Sequence, residues 1–268
     1  MTRTRTIRGI IPEMPRHKQT SQNGEMSLAG HLKELRNRII LCVLFFVAAF
    51  VACLAYAQQL VTLLTRIGER YQYQFVYLSP EELLLVYFSI ALIGAAVVST
   101  PMIGYHLYAF CSPGLKRRER MFFLLAMVFG ALCFCLGVLF AYWVSIPFML
   151  QFFISLGEGM EIAAAISVQS YISFLLTVFV IFGVVFELPV ISVLLTQLGI
   201  LKPEWLAKSR KVMIVVIFFV AAVITPPDVI SQIMVAVPML VLYELSVLLS
   251  RMCAAFKAKR RKEPVQSE

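Results

Sequence analysis

Long apolar runs separated by short charged segments limit most strongly what this chain can fold into. The first run, 39–57, contains no charged side chain, and longer runs cover 83–110, 121–147, 169–201 and 229–249. An α-helix needs about 20 mostly apolar residues to cross about 30 Å of hydrocarbon. A soluble domain in which 60% of residues are hydrophobic and only 15% are charged would be unusual. The sequence therefore predicts an all-α integral membrane protein, because β-barrel strands alternate and lack such unbroken runs.

A further apolar run, 212–224, is short and decides the predicted topology. At 1.5 Å per residue it would span roughly 20 Å, so it could either cross the membrane or re-enter it. With six crossings and the N-terminus inside, Lys and Arg number 8, 4, 4 and 6 in the inner segments 1–38, 111–120, 202–211 and 250–268. Of the 24 such residues only Arg66 and Arg70 lie elsewhere. The positive-inside rule thus predicts six transmembrane helices with both termini cytoplasmic, and short helices 5 and 6 in thinned bilayer.

The predicted organisation is a single transmembrane domain over 1–268. A polar, basic tail covers 1–30, the six-helix membrane core covers 31–250, and a basic cytoplasmic tail covers 251–268. Because the first tail has no apolar segment, no cleavable signal peptide is expected. The three histidines and six cysteines are too scattered for a zinc site. We therefore expect no metal, cofactor, catalytic residue or nucleic-acid partner, and no enzyme activity.

The stretch HLKELRNRI, 31–39, leads into the first apolar run. Leucine and isoleucine recur on one face at helical spacing, which predicts an amphipathic segment at the inner membrane interface. Glu34 has two interpretations. It either pairs locally with Lys33 or Arg38 inside a basic membrane anchor, or it forms half of a receptor for a cationic ligand.

A second acid, Glu119, lies in the first inner loop among four basic residues, in the sequence KRRER. It could pair with a neighbouring arginine, or it could accept an incoming guanidinium, which binds carboxylates in a bidentate manner. The preceding segment supplies Tyr108 and Phe110, aromatic side chains that suit the inner interface.

Glu187 is the deepest acid, within the run that contains FGVVFELPV. It lies 18 residues after Gln169 and 15 before Lys202, or about 27 Å and about 22 Å along a helix. A charge at that depth costs roughly 2.5–3.5 kcal/mol. Pro189 cannot donate to the carbonyl of Val185, which predicts a local helix break. Glu187 either satisfies a neighbouring helix or lines a polar concavity, and the second interpretation is favoured.

Two helix starts on the outer side carry capping patterns. Serine and glutamate at Ser79 and Glu82, with proline at the first helical position, predict a capping box. In the outer hairpin ITPPDVISQ, Asp228 is placed to cap the last helix. Thr225 lies in the same hairpin, and Gln232, one turn into the helix, suits a hydrogen bond to another transmembrane helix.

Taken together, these stretches resemble the TatC family, the multi-spanning receptor of the twin-arginine protein export system. The matching sequences are HLKELRNRI, YAFCSPGLKRRER, FGVVFELPV, TPPDVISQ and VPMLVLYE, in the family's order from 31 to about 251. The resemblance implies a cup-shaped, concave six-helix bundle in the cell inner membrane. It also implies binding of the twin-arginine signal peptides of folded proteins at the cytoplasmic face, and their transport driven by the proton motive force.

The resemblance assigns roles to individual residues. Signal-peptide binding falls on Glu34, Glu119, Tyr108 and Phe110, where Tyr108 replaces the family's usual tryptophan. The intramembrane polar site falls on Glu187 and Pro189, and contact with partner helices falls on Thr225, Asp228 and Gln232. The partners implied are TatA- and TatB-like single-span proteins in an oligomeric complex.

A proton-coupled transporter of a small solute, with Glu187 as the proton carrier, is the alternative interpretation. Secondary transporters commonly contain internal repeats. This chain has one deep acid and no internal repeat that we can detect. The pattern therefore favours the receptor.

Overall fold

The computed structural model describes residues 28–71, 73–112, 116–157, 165–225 and 228–262. Inside the helices, the description omits the side chains at 28, 29, 31, 111, 117–119 and 258–262. Glu119 is therefore placed by its backbone alone, and its side chain lies outside the described part of the chain.

Helices dominate the described residues, with two three-residue strands and one π-helical turn. In chain order they are α1 (Leu28–Ala55), α2 (Ala57–Glu69), β1 (Gln74–Val76), α3 (Pro80–Cys111), α4 (Arg117–Phe140), the π-helical turn Ala141–Ser145, α5 (Ile146–Gly157), β2 (Ala165–Ser167), α6 (Val168–Phe186), α7 (Leu188–Leu198), α8 (Pro203–Lys208), α9 (Arg210–Ile224) and α10 (Val229–Lys262). We call the end with the start of α1, the end of α3 and α8 the inner end, and the opposite end the outer end.

Five described segments are long and apolar enough to cross a membrane: Leu32–Ala55, Pro80–Phe110, Arg120–Gly157, Val168–Leu198 and Val229–Lys257. The prediction of a helical, multi-spanning membrane protein is confirmed. Helix α9 has 15 residues, or about 22 Å, which is shorter than a usual span. The sixth crossing and the orientation of the termini stay predictions.

Helix α6 lies at the centre of the bundle, in contact with α3 and α4. Its residues Ile172, Leu175, Val178 and Phe182 are fully buried. They recur every three or four positions, so a single face of the helix enters the core. Helix α1, in contrast, packs mainly on α3 and leaves most of its apolar side chains exposed, as suits contact with lipid.

Glycines let α4 and α6 approach closely. A Cβ atom on Gly137 would lie 2.5 Å from the carbonyl oxygen of Phe182, and one on Gly183 would lie 2.6 Å from the ring of Phe134. Small residues allow this kind of close backbone approach between transmembrane helices.

The outer end carries a small platform that the sequence analysis did not predict. Strand β1 pairs in parallel with β2, with Phe75 opposite Ile166. The amphipathic helix α2 meets the platform where Gly68 lies against the ring of Phe75, and the hydroxyl of Tyr171 on α6 donates to the carbonyl of Leu64 at 3.1 Å. The hydroxyl of Tyr73 donates to the carbonyl of Leu150 at the same distance.

The capping box predicted at Ser79 is wrong in one of its two bonds. Ser79 occupies the N-cap position, but its side chain makes no capping hydrogen bond. The carboxylate of Glu82 accepts from the N–H of Leu78 and from the hydroxyl of Ser167, which lies next to α6, and more weakly from the N–H of Gln169. Glu82 therefore joins the outer ends of α3 and α6, a contact between distant parts of the chain that a local pattern cannot reveal.

Candidate functional site

A cavity of about 590 Å³ lies at the inner end, where α1 passes α3. Its walls are Gly30, Lys33, Glu34, Asn37, Arg38 and Leu41 of α1, with His106 of α3 opposite. We call this cavity the inner pocket. Helical spacing places the α1 residues on one face, so the amphipathic lead-in predicted from HLKELRNRI forms one wall of the pocket.

The two carboxylate oxygens of Glu34 have different surroundings. Oε1 accepts hydrogen bonds from the guanidinium of Arg38, from Nε at 3.0 Å and also from Nη2. Oε2 is buried and has no hydrogen-bond partner among the described residues. The local pairing considered for Glu34 thus exists, yet it leaves one oxygen able to accept further hydrogen bonds.

His106 is the pocket residue that the sequence analysis missed. The residue is 9% exposed, and neither Nδ1 nor Nε2 has a hydrogen-bond partner in the described part of the chain. The signal available in the sequence was a histidine near the end of a mostly apolar helix. Among the described residues, no three His, Cys, Asp or Glu side chains are grouped in a way that could hold a metal ion.

Tyr108 connects the end of α3 with the start of α4. Its hydroxyl accepts a hydrogen bond from Nε of Arg120 at 2.8 Å, and its ring lies 5.8 Å from that of Phe123. Arg120 directly follows Glu119, so Tyr108 lies beside the backbone turn that carries this acid. Phe110 is half-buried one half-turn further along α3.

The helix break predicted at Glu187 is confirmed. Helix α6 ends at Phe186 and α7 begins at Leu188, with Pro189 buried in its first turn. The N–H of Glu187 bonds to the carbonyl of Val184 at 3.1 Å, as in a tightened last turn. A Cβ atom on Gly130 would lie 2.8 Å from Oε2 of Glu187, so the half-buried carboxylate lies against the backbone of α4.

On the inner side of the break, hydrogen bonds from polar side chains join α7 to α10. The hydroxyl of Ser192 donates to the carbonyl of Ser246 at 3.3 Å, and Thr196 shares a hydrogen bond with Ser250. The two pairs are spaced four residues apart on each helix, a pattern that could have been found in the sequence. The inner half of this broken helix is therefore bonded to α10.

In the outer hairpin, each of the three predicted residues bonds within the chain. Asp228 accepts from the N–H of Ser231 at 2.7 Å, which confirms the predicted cap. Gln232 donates through Nε2 to the carbonyl of Phe218 on α9 at 3.0 Å, as its depth predicted. Thr225 is buried and donates to a carbonyl of its own helix. Residues 226–227 lie outside the described part of the chain.

The chain matches the sequence model of a known family. Residues 30–238 match the sequence model of TatC, described as Sec-independent protein translocase protein. The chain belongs to the TatC family.

Two TatC relatives show how far the similarity extends. The chain is 36% identical over 237 residues to Sec-independent protein translocase protein TatCy of Bacillus subtilis (strain 168), covering 88% of this chain and 92% of that protein. It is 38% identical over 225 residues to the TatC protein of Helicobacter pylori (strain J99 / ATCC 700824), covering 84% and 89%.

A solved TatC structure shares the fold. The crystal structure of the twin-arginine translocase receptor TatC superposes with a TM-score of 0.74 at 34% identity, over 83% of this chain and 99% of that one. Membership of the family gives the chain a role in Tat-dependent protein transport in a membrane, in a complex with other Tat components.

Proposed function

We propose that this chain is the receptor core of a twin-arginine translocase and binds signal peptides of folded proteins at its cytoplasmic face. Six membrane crossings in the cell inner membrane, with both termini cytoplasmic, would place the inner pocket on that face. The supporting observation is Oε2 of Glu34, a buried carboxylate oxygen without a partner among the described residues, in a cavity at the inner end.

A guanidinium group is the ligand that this carboxylate suits best. Hydrogen bonds between an ionised acid and an arginine are short and strong, and they favour arginine through its planar fork. Lys33 and Arg38 also line the pocket and repel cations. A cation therefore binds there only if it bonds to the carboxylate of Glu34. Glu119, on the first turn of α4, supplies a carboxylate for the second arginine, and Tyr108 and Phe110 contribute the aromatic part of the surface.

Glu187 and Pro189 have a different role in this proposal. The broken helix places the Glu187 carboxylate against α4, within a candidate membrane span, and Glu187 does not line the inner pocket. We assign the pair to the concave face along which the apolar part of the signal peptide lies. The charge of the signal is met at Glu34 and Glu119.

Partner proteins of the TatA and TatB type, each with a single span, would pack near α9 and α10. Thr225, Asp228 and Gln232 hold the outer hairpin in shape through the bonds described above. These residues therefore support partner contact by fixing the short helix α9, where a thinned bilayer favours helix association. Transport itself is non-enzymatic and draws on the proton motive force.

Site-specific crosslinking of a twin-arginine signal peptide in native membranes tests the receptor assignment. We expect Glu34→Ala and Glu119→Ala each to reduce crosslinking by about tenfold, since each removes a charge-assisted hydrogen bond. Glu204→Ala is the matched control, because this exposed acid on α8 lies at the same end outside the pocket. Crosslinking at the control level in both variants, at equal abundance, would contradict the assignment.

A further inference from the structure

The inner pocket holds three buried polar atoms without partners among the described residues, Oε2 of Glu34 and both ring nitrogens of His106. They belong to two residues on different helices that face the same cavity. Leaving a buried donor or acceptor unsatisfied destabilises a protein. Such a set, concentrated on one cavity of about 590 Å³, indicates a place for a polar ligand.

The chemistry of the two residues defines that ligand. A carboxylate oxygen only accepts hydrogen bonds, whereas a neutral imidazole offers one acceptor and one donor. Two acceptors on opposite walls require a ligand with several N–H donors in different directions. A guanidinium has five N–H donors in a flat fork, while an ammonium group has three around a single point.

We propose that His106 contacts the ligand in the inner pocket and makes the pocket select arginine over lysine. The guanidinium of a signal-peptide arginine donates to Oε2 of Glu34 with one edge and to a ring nitrogen of His106 with the other. The other ring nitrogen donates its proton to a carbonyl of the peptide. A lysine in the same place keeps the contact with Glu34 and loses the contact with His106. This inference rests on the proposed function, since it concerns the ligand of the same pocket.

Binding of two synthetic signal peptides to the full-length chain in lipid nanodiscs tests the role of His106. One peptide carries two arginines and the other carries two lysines at the same positions. We expect His106→Leu to weaken binding of the arginine peptide by about tenfold, the loss of one hydrogen bond to a charged group. Binding of the lysine peptide should not change, so the preference for arginine should fall by the same factor.

Two further variants separate ligand contact from packing. His106→Gln keeps a neutral donor and acceptor, and it should restore most of the preference. Ser99→Ala removes another buried side chain of α3 without a partner among the described residues, one that does not line the pocket, and it should leave the preference unchanged. If His106→Leu does not yield folded protein, His106→Asn, with a shorter polar side chain, should show the same loss of preference.

The outcomes distinguish this inference from the proposed function. If Glu34→Gln abolishes binding while His106→Leu and His106→Asn keep the full preference for arginine, the role of His106 is refuted and the receptor stands. If Glu34→Gln binds the arginine peptide as tightly as the unchanged chain, the receptor assignment of the pocket fails and the inference fails with it.

Discussion

Two glutamates at opposite ends of the bundle show how differently a carboxylate can be used in one membrane protein. Glu82 at the outer end is 4% exposed, and both of its oxygens accept hydrogen bonds, from Leu78, Ser167 and Gln169. Glu34 at the inner end gives one oxygen to Arg38 and keeps the other buried without a partner among the described residues.

We interpret this difference as one between a structural acid and a proposed ligand-binding acid. A carboxylate oxygen that accepts hydrogen bonds from the protein stabilises the fold. A buried carboxylate oxygen without a donor destabilises the fold until a ligand donates to it. Glu82 therefore belongs to the scaffold that joins α3 to α6. In the proposed function, Glu34 belongs to a surface that a cationic ligand completes.

Replacing Glu82 should have the largest effect on stability. Glu82→Leu removes the acceptor of the N–H of Leu78 and of the hydroxyl of Ser167, two hydrogen bonds to an ionised group, so it should lower the unfolding temperature by several degrees. Thermal unfolding in detergent would measure the change, with Glu34→Leu as the matched control. The control should cost less than about 1 kcal/mol, because a partly exposed ion pair contributes little. Equal losses in the two variants would remove the distinction between the acids.

Two glycines of α4 allow a second comparison, between a close contact with backbone and a close contact with a carboxylate side chain. Gly137→Ala places a methyl group 2.5 Å from the backbone oxygen of Phe182, which cannot move aside without shifting α6. We expect a loss of about 1–3 kcal/mol. Gly130→Ala meets the movable end of Glu187 and should cost less, by the same unfolding measurement. A larger loss at Gly130 would show that the Glu187 carboxylate is held as rigidly as backbone.

Gln232 is a neutral polar side chain that, like Glu82, has a hydrogen-bond partner within the chain. Gln232→Leu removes the hydrogen bond to the carbonyl of Phe218 and should destabilise the α9–α10 hairpin by about 0.6–1.7 kcal/mol. Copurification of the proposed single-span partners of the TatA and TatB type would report the consequence for assembly. Full partner recovery despite the loss of stability would contradict a role for this residue in presenting the hairpin.

Changing Arg38 should produce the smallest effect, and one of opposite sign. Arg38→Gln removes the positive charge that competes with the ligand for Glu34, so binding of a twin-arginine peptide should tighten by about two- to fivefold. Isothermal titration calorimetry at low and high salt would detect the change. Weaker binding would mean that Arg38 positions Glu34 for the ligand instead of competing with it.

The sequence predicted the features that depend on the length of apolar runs and on local sequence patterns. The apolar runs identified the spanning helices, and Pro189 identified the break at Glu187 because a missing N–H acts within one helical turn. Contacts between distant segments could not be predicted in this way. Glu82 bonds to Ser167 across 85 residues, and the side chain of Ser79 does not make the predicted capping bond. The position of His106 in the inner pocket depends on how α3 packs against α1, which the local sequence does not reveal.

The most direct test of the difference between the two acids is the affinity of the full-length chain in nanodiscs for a twin-arginine signal peptide, measured for Glu34→Gln and Glu82→Gln beside the unchanged chain. We predict that Glu34→Gln weakens binding by about tenfold or more while its unfolding temperature stays within a degree or two. Glu82→Gln should unfold at a lower temperature yet bind normally while it remains folded. Unchanged affinity in folded Glu34→Gln protein would contradict the account.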